Sequence, residues 1–422
     1  MGSFRFLHAA DIHLDSPLRG LSGHEGSAAE RIRTATREAF VQLVGDAIDR
    51  RVDFVVIAGD LYDGDWRDYR TGLFFAAQMG RLNEAGIPVF LLHGNHDAES
   101  QLTRRLTLPD NVRVFGARRP ETFRLDACGV ALHGQSFAQR ELRENLVPAY
   151  PDPMPHHFNI GVLHTGLGGL GGHENYAPCA LGDLLAKGYD YWALGHVHQF
   201  QILHPRPPVV FPGNLQGRHI RETGDKGAVL VTVEAGTAVD VAPLAVDVVR
   251  WSRVQADLTG AGSLGEAVER LQAAIADAVA AEGQGRLLAC RVECQGSTPI
   301  HGELQVSGDR LLAEARAAAV GLGTDAAWVE KVVVATTATG AERTDPAGEL
   351  EALWQEAATD PELLARLAED PGAMLRRLPY ELRAELEPDS ILTTALAEDP
   401  AALATAVVPW LSQRLAGEGE ED

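Results

Sequence analysis

Five short apolar runs, each stopped by a polar cluster, constrain this chain more than any other feature of its 422 residues. Phe54-Val55-Val56-Ile57 is apolar throughout and reads as a parallel strand buried on both faces. Gly59 breaks it, and Asp60 and Asp63 follow at its carboxyl end. Phe6–Ala10 likewise runs into Asp11-Ile12-His13, and Pro88–Leu92 into Gly94-Asn95-His96-Asp97. Asn159–Leu163 runs into His164, and Tyr191–Leu194 into Gly195-His196-Val197-His198. In open α/β sheets, sites are built at the carboxyl ends of strands. A lone Asp-x-His reads as a turn or a hydrogen-bonded core group. Five such endings would leave polar groups at buried positions again and again without a task, and unpaired buried polar groups are costly. The five runs therefore predict one sheet edge that carries a site.

The order D-x-H, G-D-x-x-D, G-N-H-D, a lone His and G-H-x-H resembles the calcineurin-like metallophosphoesterase superfamily. Within it, Leu7-His8-Ala9-Ala10-Asp11-Ile12-His13-Leu14-Asp15 and Phe211-Pro212-Gly213-Asn214-Leu215-Gln216-Gly217-Arg218-His219 look like the SbcD-type DNA repair nucleases, in particular the YhaO-like bacterial branch. The likeness covers residues 4 to 245 and beyond them rests on layout. It implies two divalent metal ions, one held by Asp11, His13 and His198 and the other by Asn95, His164 and His196, with Asp60 shared. It further implies that His96 is the general acid facing the leaving-group oxygen and that Asp63 orients it, as carboxylates commonly orient imidazoles. Two such ions can hold a phosphodiester between them and acidify a bound water. The resemblance implies manganese, and oxygen ligands mixed with imidazoles also suit iron or zinc better than calcium. Arg218, His219 and Arg221 have two readings, as donors to DNA phosphates or as a solvated loop. Asp97 is expected to brace its loop, and His8, His93 and His133 to serve structure. His156 and His157 lie before their strand and are read as loop residues.

Along the chain, Ala28–Arg51 has apolar residues at helical spacing and reads as a crossover helix. Asp65–Ala85 is a second, stopped by Gly86 and Pro88. The β-α-β-α-β order predicts a parallel layer with helices on both faces. Val112–Phe137 reads as short strands, and Val209–Phe211, Ala228–Glu234 and Ala238–Leu244 as strands of a second layer. The expected fold is α/β: a metallophosphoesterase two-sheet β-sandwich flanked by helices over residues 1–247. A small α+β cap, taken as a DNA-recognition domain, follows at 248–340, with strands at Trp251–Leu258, Leu287–Cys294 and Trp328–Thr336. An acidic helical region fills 341–422, with Pro361, Pro371 and Pro400 at helix starts.

The formal charge is −22, and from Glu342 onward 19 acidic residues face six basic ones. That imbalance argues against tight DNA binding by the chain's own charge. The four cysteines form no CxxC pair, no run approaches 18 apolar residues, and no signal peptide precedes the first strand. These features predict a reduced, cytoplasmic protein with no membrane segment. The resemblance implies a DNA nuclease, exonuclease with or without endonuclease activity, working with an SMC-like ABC ATPase (SbcC-like) docked through the C-terminal helices; a homodimer is admissible. The alternative is a nucleotide or small-molecule phosphodiesterase or phosphatase of the same superfamily. A phosphoprotein phosphatase is disfavoured, because Gly64-Asp65 follows Asp63 where that group has Arg-Gly.

Overall fold

The computed structural model of the chain describes residues 2–16, 27–63, 69–98, 107–168, 176–323, 325–339 and 402. Three of the five expected runs become neighbours in one sheet, joined there by a short fourth strand. β1 (Phe4–Ala9), β2 (Phe54–Ala58), β3 (Val89–Leu92) and β4 (Val112–Val114) pair in parallel. β2 and β3 are buried along their whole length, as apolar runs on a central strand require. The helices α1 (Ser27–Asp49) and α2 (Tyr69–Glu84) make the crossovers. Phe40, Leu43, Val44 and Ala47 of α1 pack with Phe75, Met79 and Leu82 of α2 against Leu7, Val55, Ile57 and Leu91. Gly86, at φ 72°, takes the left-handed turn that ends α2.

The opposite face meets a second sheet instead of further helices, which corrects the expectation of helices on both faces. This sheet holds β5 (Glu121–Leu125), β6 (Val130–Gly134), β7 (Phe158–His164), β8 (Tyr191–Gly195), β9 (Gln201–Pro205) and β10 (Pro208–Phe211), in the order β5-β6-β7-β8-β10-β9. The interlayer is aromatic: Phe6 and Phe54 stack at 4.8 Å, and Tyr191 meets Phe6 edge-on at 5.3 Å. Such residues on the inner face leave no room for a helix, because a second apolar surface already covers them. The short helix α3 (Leu181–Ala186) lies in the crossover to β8, and Leu184 is buried with Trp192 on the outer side of this sheet.

A second correction concerns β11 (Gly227–Glu234) and β12 (Thr237–Ala245). They do not join the second layer with β10. β11 pairs antiparallel with β1, and β12 with β11, extending the first sheet. Without them β1 would present an unpaired edge of backbone donors and acceptors.

The later part of the chain builds a third sheet of β13 (Val249–Asp257), β14 (Leu287–Thr298) and β15 (Ala327–Ala338), with β13 and β14 parallel. α4 (Leu264–Ala278) starts at Ser263, whose hydroxyl accepts the Glu266 N–H, and buries Ala267, Leu271 and Ile275. The short α5 (His301–Val306) precedes α6 (Gly308–Leu322). The chain divides into two compact units. The first comprises 1–259, 263–296 and 307–335, so the boundary expected at 247–248 falls inside it. In it, Ala29, Ile32 and Ala35 of α1 share a cluster with Trp251, Leu287 and Ala289. In the second, 260–262, 297–306 and 336 onward, the Thr298 hydroxyl donates to the Ala261 carbonyl and His301 bonds Thr336. The expected acidic helices from 341 onward lie outside the described residues, apart from Ala402.

Candidate metal centre

The loop after β1 is zipped along the loop after β2. Asp11 N–H donates to the Gly59 carbonyl at 3.0 Å, His13 N–H to Asp60 at 3.0 Å, and Leu14 N–H to Leu61 at 2.9 Å. This pairing sets Asp11 and His13 beside Asp60 and Asp63. Asp11, His13 and Asp60 have φ of 50°, 48° and 50°, and His196 has 106°. Side-chain-bearing residues adopt that region at a cost of about 1 kcal/mol or more each, and such strain gathers at functional sites.

Three clusters of donor atoms result, each within 4.8 Å: Asp11, His13 and His198; Asp60, His164 and His196; and His13, Asp63 and His96. Asn95 joins the second through its Oδ1, 2.9 Å from His164 Nε2. Asp60 lies between the first two, with Oδ2 3.4 Å from His164 Nε2 and 4.0 Å from His13 Nε2. The carboxylate of Asp11 accepts the His196 N–H at 2.9 and 3.1 Å. Every residue expected to hold metal therefore reaches one site, built from the carboxyl ends of strands in both sheets and not from the single sheet edge expected.

The arrangement fits a pair of cations on direct grounds. His164 Nδ1 lies 2.9 Å from the Ala58 carbonyl, which only accepts, so Nδ1 carries the proton. With His164 neutral, as a metal ligand must be, Nε2 turns a lone pair toward the Asn95 oxygen; without a cation, Nε2 takes a proton instead. His198 repeats the pattern: Nδ1 meets the Glu222 carboxylate at 2.8 Å, and Nε2 faces His13 Nε2 at 3.3 Å. Buried His13 Nδ1 has no hydrogen-bond partner. Lone pairs facing lone pairs in a dry site need a proton or a cation between them. Burial works against the His164 imidazolium, yet Asp60 and Asp11 outweigh it and lift its pKa to about 9. Burial raises Asp11 to about 6 against the pull of His198 and His164. Neither carboxylate nor imidazole is a soft ligand, so the donor set suits manganese, iron or zinc.

The third cluster centres on a carboxylate–imidazole pair. His96 Nδ1 lies 2.9 Å from Asp63 Oδ1, and its backbone N–H donates to Asp60 at 3.0 Å. Burial depresses the His96 pKa, but the Asp63 bond and the Asp60 charge more than offset this and raise it above its ordinary value. Asp63 also accepts from the Ser16 hydroxyl and lies 3.6 Å from Arg218 Nη1. Asp97 accepts the backbone N–H groups of Leu61, Tyr62 and Gly94, the bracing expected of it. His8 and His133 bond Tyr191 and Asn159 away from the site.

The three residues expected near substrate divide. Arg218 is largely buried and bonded to Glu222, so it is not a residue of a solvated loop. His219 is half exposed, its Nε2 3.7 Å from Glu222, and Arg221 is exposed. Sequence reasoning missed Glu222 and Lys226, whose Nζ donates to the His198 carbonyl at 2.7 Å. One signal was available: Lys226 is one of only three lysines in the chain.

Residues 4–200 match the family model of the calcineurin-like phosphoesterases. The chain carries a calcineurin-like phosphoesterase domain. Residues 251–337, which include most of the third sheet, match the middle domain of metallophosphoesterase YhaO. The Bacillus subtilis uncharacterized metallophosphoesterase YhaO is 39% identical over 263 residues, covering 61% of this chain and 64% of that protein. The DNA double-strand break repair protein Mre11 of Methanopyrus kandleri is 27% identical over 282 residues, covering 59% and 58%. The protein of that name from Aeropyrum pernix is 26% identical over 336 residues, covering 75% and 78%. The chain thus spans less than two thirds of the first two of these relatives. A phosphoesterase domain of this family uses divalent metals to hydrolyse phosphoesters, in keeping with the donor clusters described.

Proposed function

We propose that this chain is a two-metal DNA nuclease of the repair type that works with an SMC-like ABC ATPase. The observation that carries the two-metal part is the place of Asp60, within reach of His13 on one side and His164 on the other. Asp11, His13 and His198 would hold one ion, and Asn95, His164 and His196 the other, with Asp60 shared. When bound, two divalent ions supply positive charge to the phosphoryl oxygens and acidify the attacking water. The chain's own residues do the rest. Asp63 fixes the His96 ring and favours its protonated form, so His96 delivers a proton to the departing oxygen. Asp97 holds the turns that carry Asp60 and Asn95, so the groups keep their spacing.

DNA as substrate is supported by the archaeal relatives, whose name is that of a DNA double-strand break repair protein. In this reading residues 1–247 are the nuclease domain, 248–340 the recognition module and 341–422 the docking region for the ATPase. A cytoplasmic location belongs to the same proposal; among the described residues no helix is long and apolar enough to cross a membrane.

The test is one assay with manganese on labelled linear duplex, on single-stranded DNA and on a generic aryl phosphodiester. Manganese-dependent cleavage of DNA and of the aryl ester supports the reading. Cleavage of the aryl ester alone makes the chain a small-molecule phosphodiesterase. No hydrolysis of any of them by metal-loaded protein overturns both.

A further inference from the structure

Behind the metal-side histidine sits a carboxylate that the proposed chemistry does not use. Glu222 is 6% exposed and surrounded by donors. Its Oε1 is 2.8 Å from His198 Nδ1 and 3.0 Å from Arg218 Nη2. Its Oε2 accepts from Asn214 Nδ2 at 2.9 Å and from the Arg218 backbone N–H at 2.8 Å. A buried carboxylate with this many donors is ionised and fixed in place. The same Arg218 extends the other way, Nη1 lying 3.6 Å from Asp63 and 3.4 Å from Ser16 Oγ. One guanidinium therefore touches both the carboxylate behind His198 and the carboxylate behind His96.

We propose that Glu222 is a positioning residue that locks the His198 ring for metal, and that Arg218 ties this carboxylate to the Asp63–His96 dyad. This rests on the two-metal reading above. Glu222 holds the proton on His198 Nδ1, so Nε2 is presented to the ion in one tautomer and one orientation. Carboxylates behind ligating histidines commonly do this, and their loss costs about 10–100-fold in metal affinity. Arg218 is held between the buried Glu222 and the partly buried Asp63. Its effect on turnover passes through Asp63.

The loop that carries the pair is fastened to β13. Gln216 Oε1 accepts the Val248 N–H at 2.9 Å, and its Nε2 donates to the Val249 carbonyl at 2.5 Å. Trp251 Nε1 donates to the Gly217 carbonyl at 3.0 Å, one residue before Arg218. The pair thus stands on a strand outside the two sheets that carry the ligands.

Two measurements test this. Calorimetric titration with manganese, without substrate, should show Glu222→Ala weakening one of the two binding steps by about 10–100-fold. Glu222→Gln, which keeps an acceptor for His198 Nδ1–H, should recover most of that loss. Glu222→Asp draws the carboxylate back by one methylene and should lose affinity in the same direction; it decides the matter if the alanine variant does not fold. On the aryl phosphodiester at saturating manganese, Arg218→Lys should lower kcat with KM and metal affinity unchanged. Wild-type manganese affinity in Glu222→Ala or Glu222→Asp overturns the role of Glu222. A raised KM with kcat intact in Arg218→Lys makes Arg218 a substrate contact and overturns its role. If the wild-type enzyme hydrolyses nothing, the function above fails, while the calorimetric arm still decides the pair.

Discussion

Two carboxylates lie near His96, and the proposed mechanism gives them different work. Asp60 lies between the donor clusters, so Asp60→Ala should bind at least one ion fewer by metal analysis; two ions held as tightly as in wild type would refute its bridging place. Asp63 serves His96, whose pKa lies above the ordinary 6.5 because that carboxylate and Asp60 more than offset burial. A general acid works while protonated, so the rate should fall as pH rises through the His96 pKa. Asp63→Asn removes a partner of the protonated form, and the alkaline limb of kcat should move to lower pH. His96→Ala should keep both metals while kcat drops by about 100-fold or more; an emptied metal site would reassign it as a ligand. That these residues meet was open to sequence reasoning because each sits in a short motif directly after an apolar run. Glu222 was not. It is an acid in a loop with nothing around it in sequence to set it apart, and only folding brings His198 onto it.

At the level of strands, glycines permit two close approaches, one between the sheets and one beside the site. A Cβ on Gly195, the last residue of β8, would fall on the Ala58 carbonyl oxygen at the end of β2, and one on Gly94 would fall on the Asp60 carboxylate. Gly195→Ala must push β8 off β2 and carry His196 and His198 with it. Overpacking of this kind costs about 1–3 kcal/mol, so the variant should melt lower and bind manganese more weakly than Gly45→Ala, where an added Cβ meets nothing within 4 Å. Equal metal affinity in the two would show that the seam tolerates movement. The buried runs were legible almost to the residue, since stretches such as Val89–Leu92 have one reading between a Pro and a Gly, whereas the half-exposed β9 was not read at all. Their partners were less so. Nothing in Ala228–Glu234 says that it returns to pair with β1, since an alternating strand suits either layer and the choice is made by which edge is left open.

For the whole chain, the proposed division of labour places chemistry before residue 340 and docking after it. A chain ending at Thr339 should keep both metals, cleave a small phosphodiester near the intact rate and lose binding to a coiled-coil ATPase. Loss of small-substrate cleavage in such a folded, metal-loaded protein would mean that the acidic region completes the site. Within the first unit the centre draws on distant sequence: His13 meets His198 across 185 positions, and His164 meets Asn95 across 69. Contacts of that span form late, because long loops must close before they are rewarded. An ion that needs donors from both sheets therefore binds after the rate-limiting step of folding. Manganese should slow unfolding and leave the folding rate nearly unchanged, the behaviour of an interaction absent from the transition state. In stopped-flow unfolding, the metal would then act as a brake on the way out and be invisible on the way in.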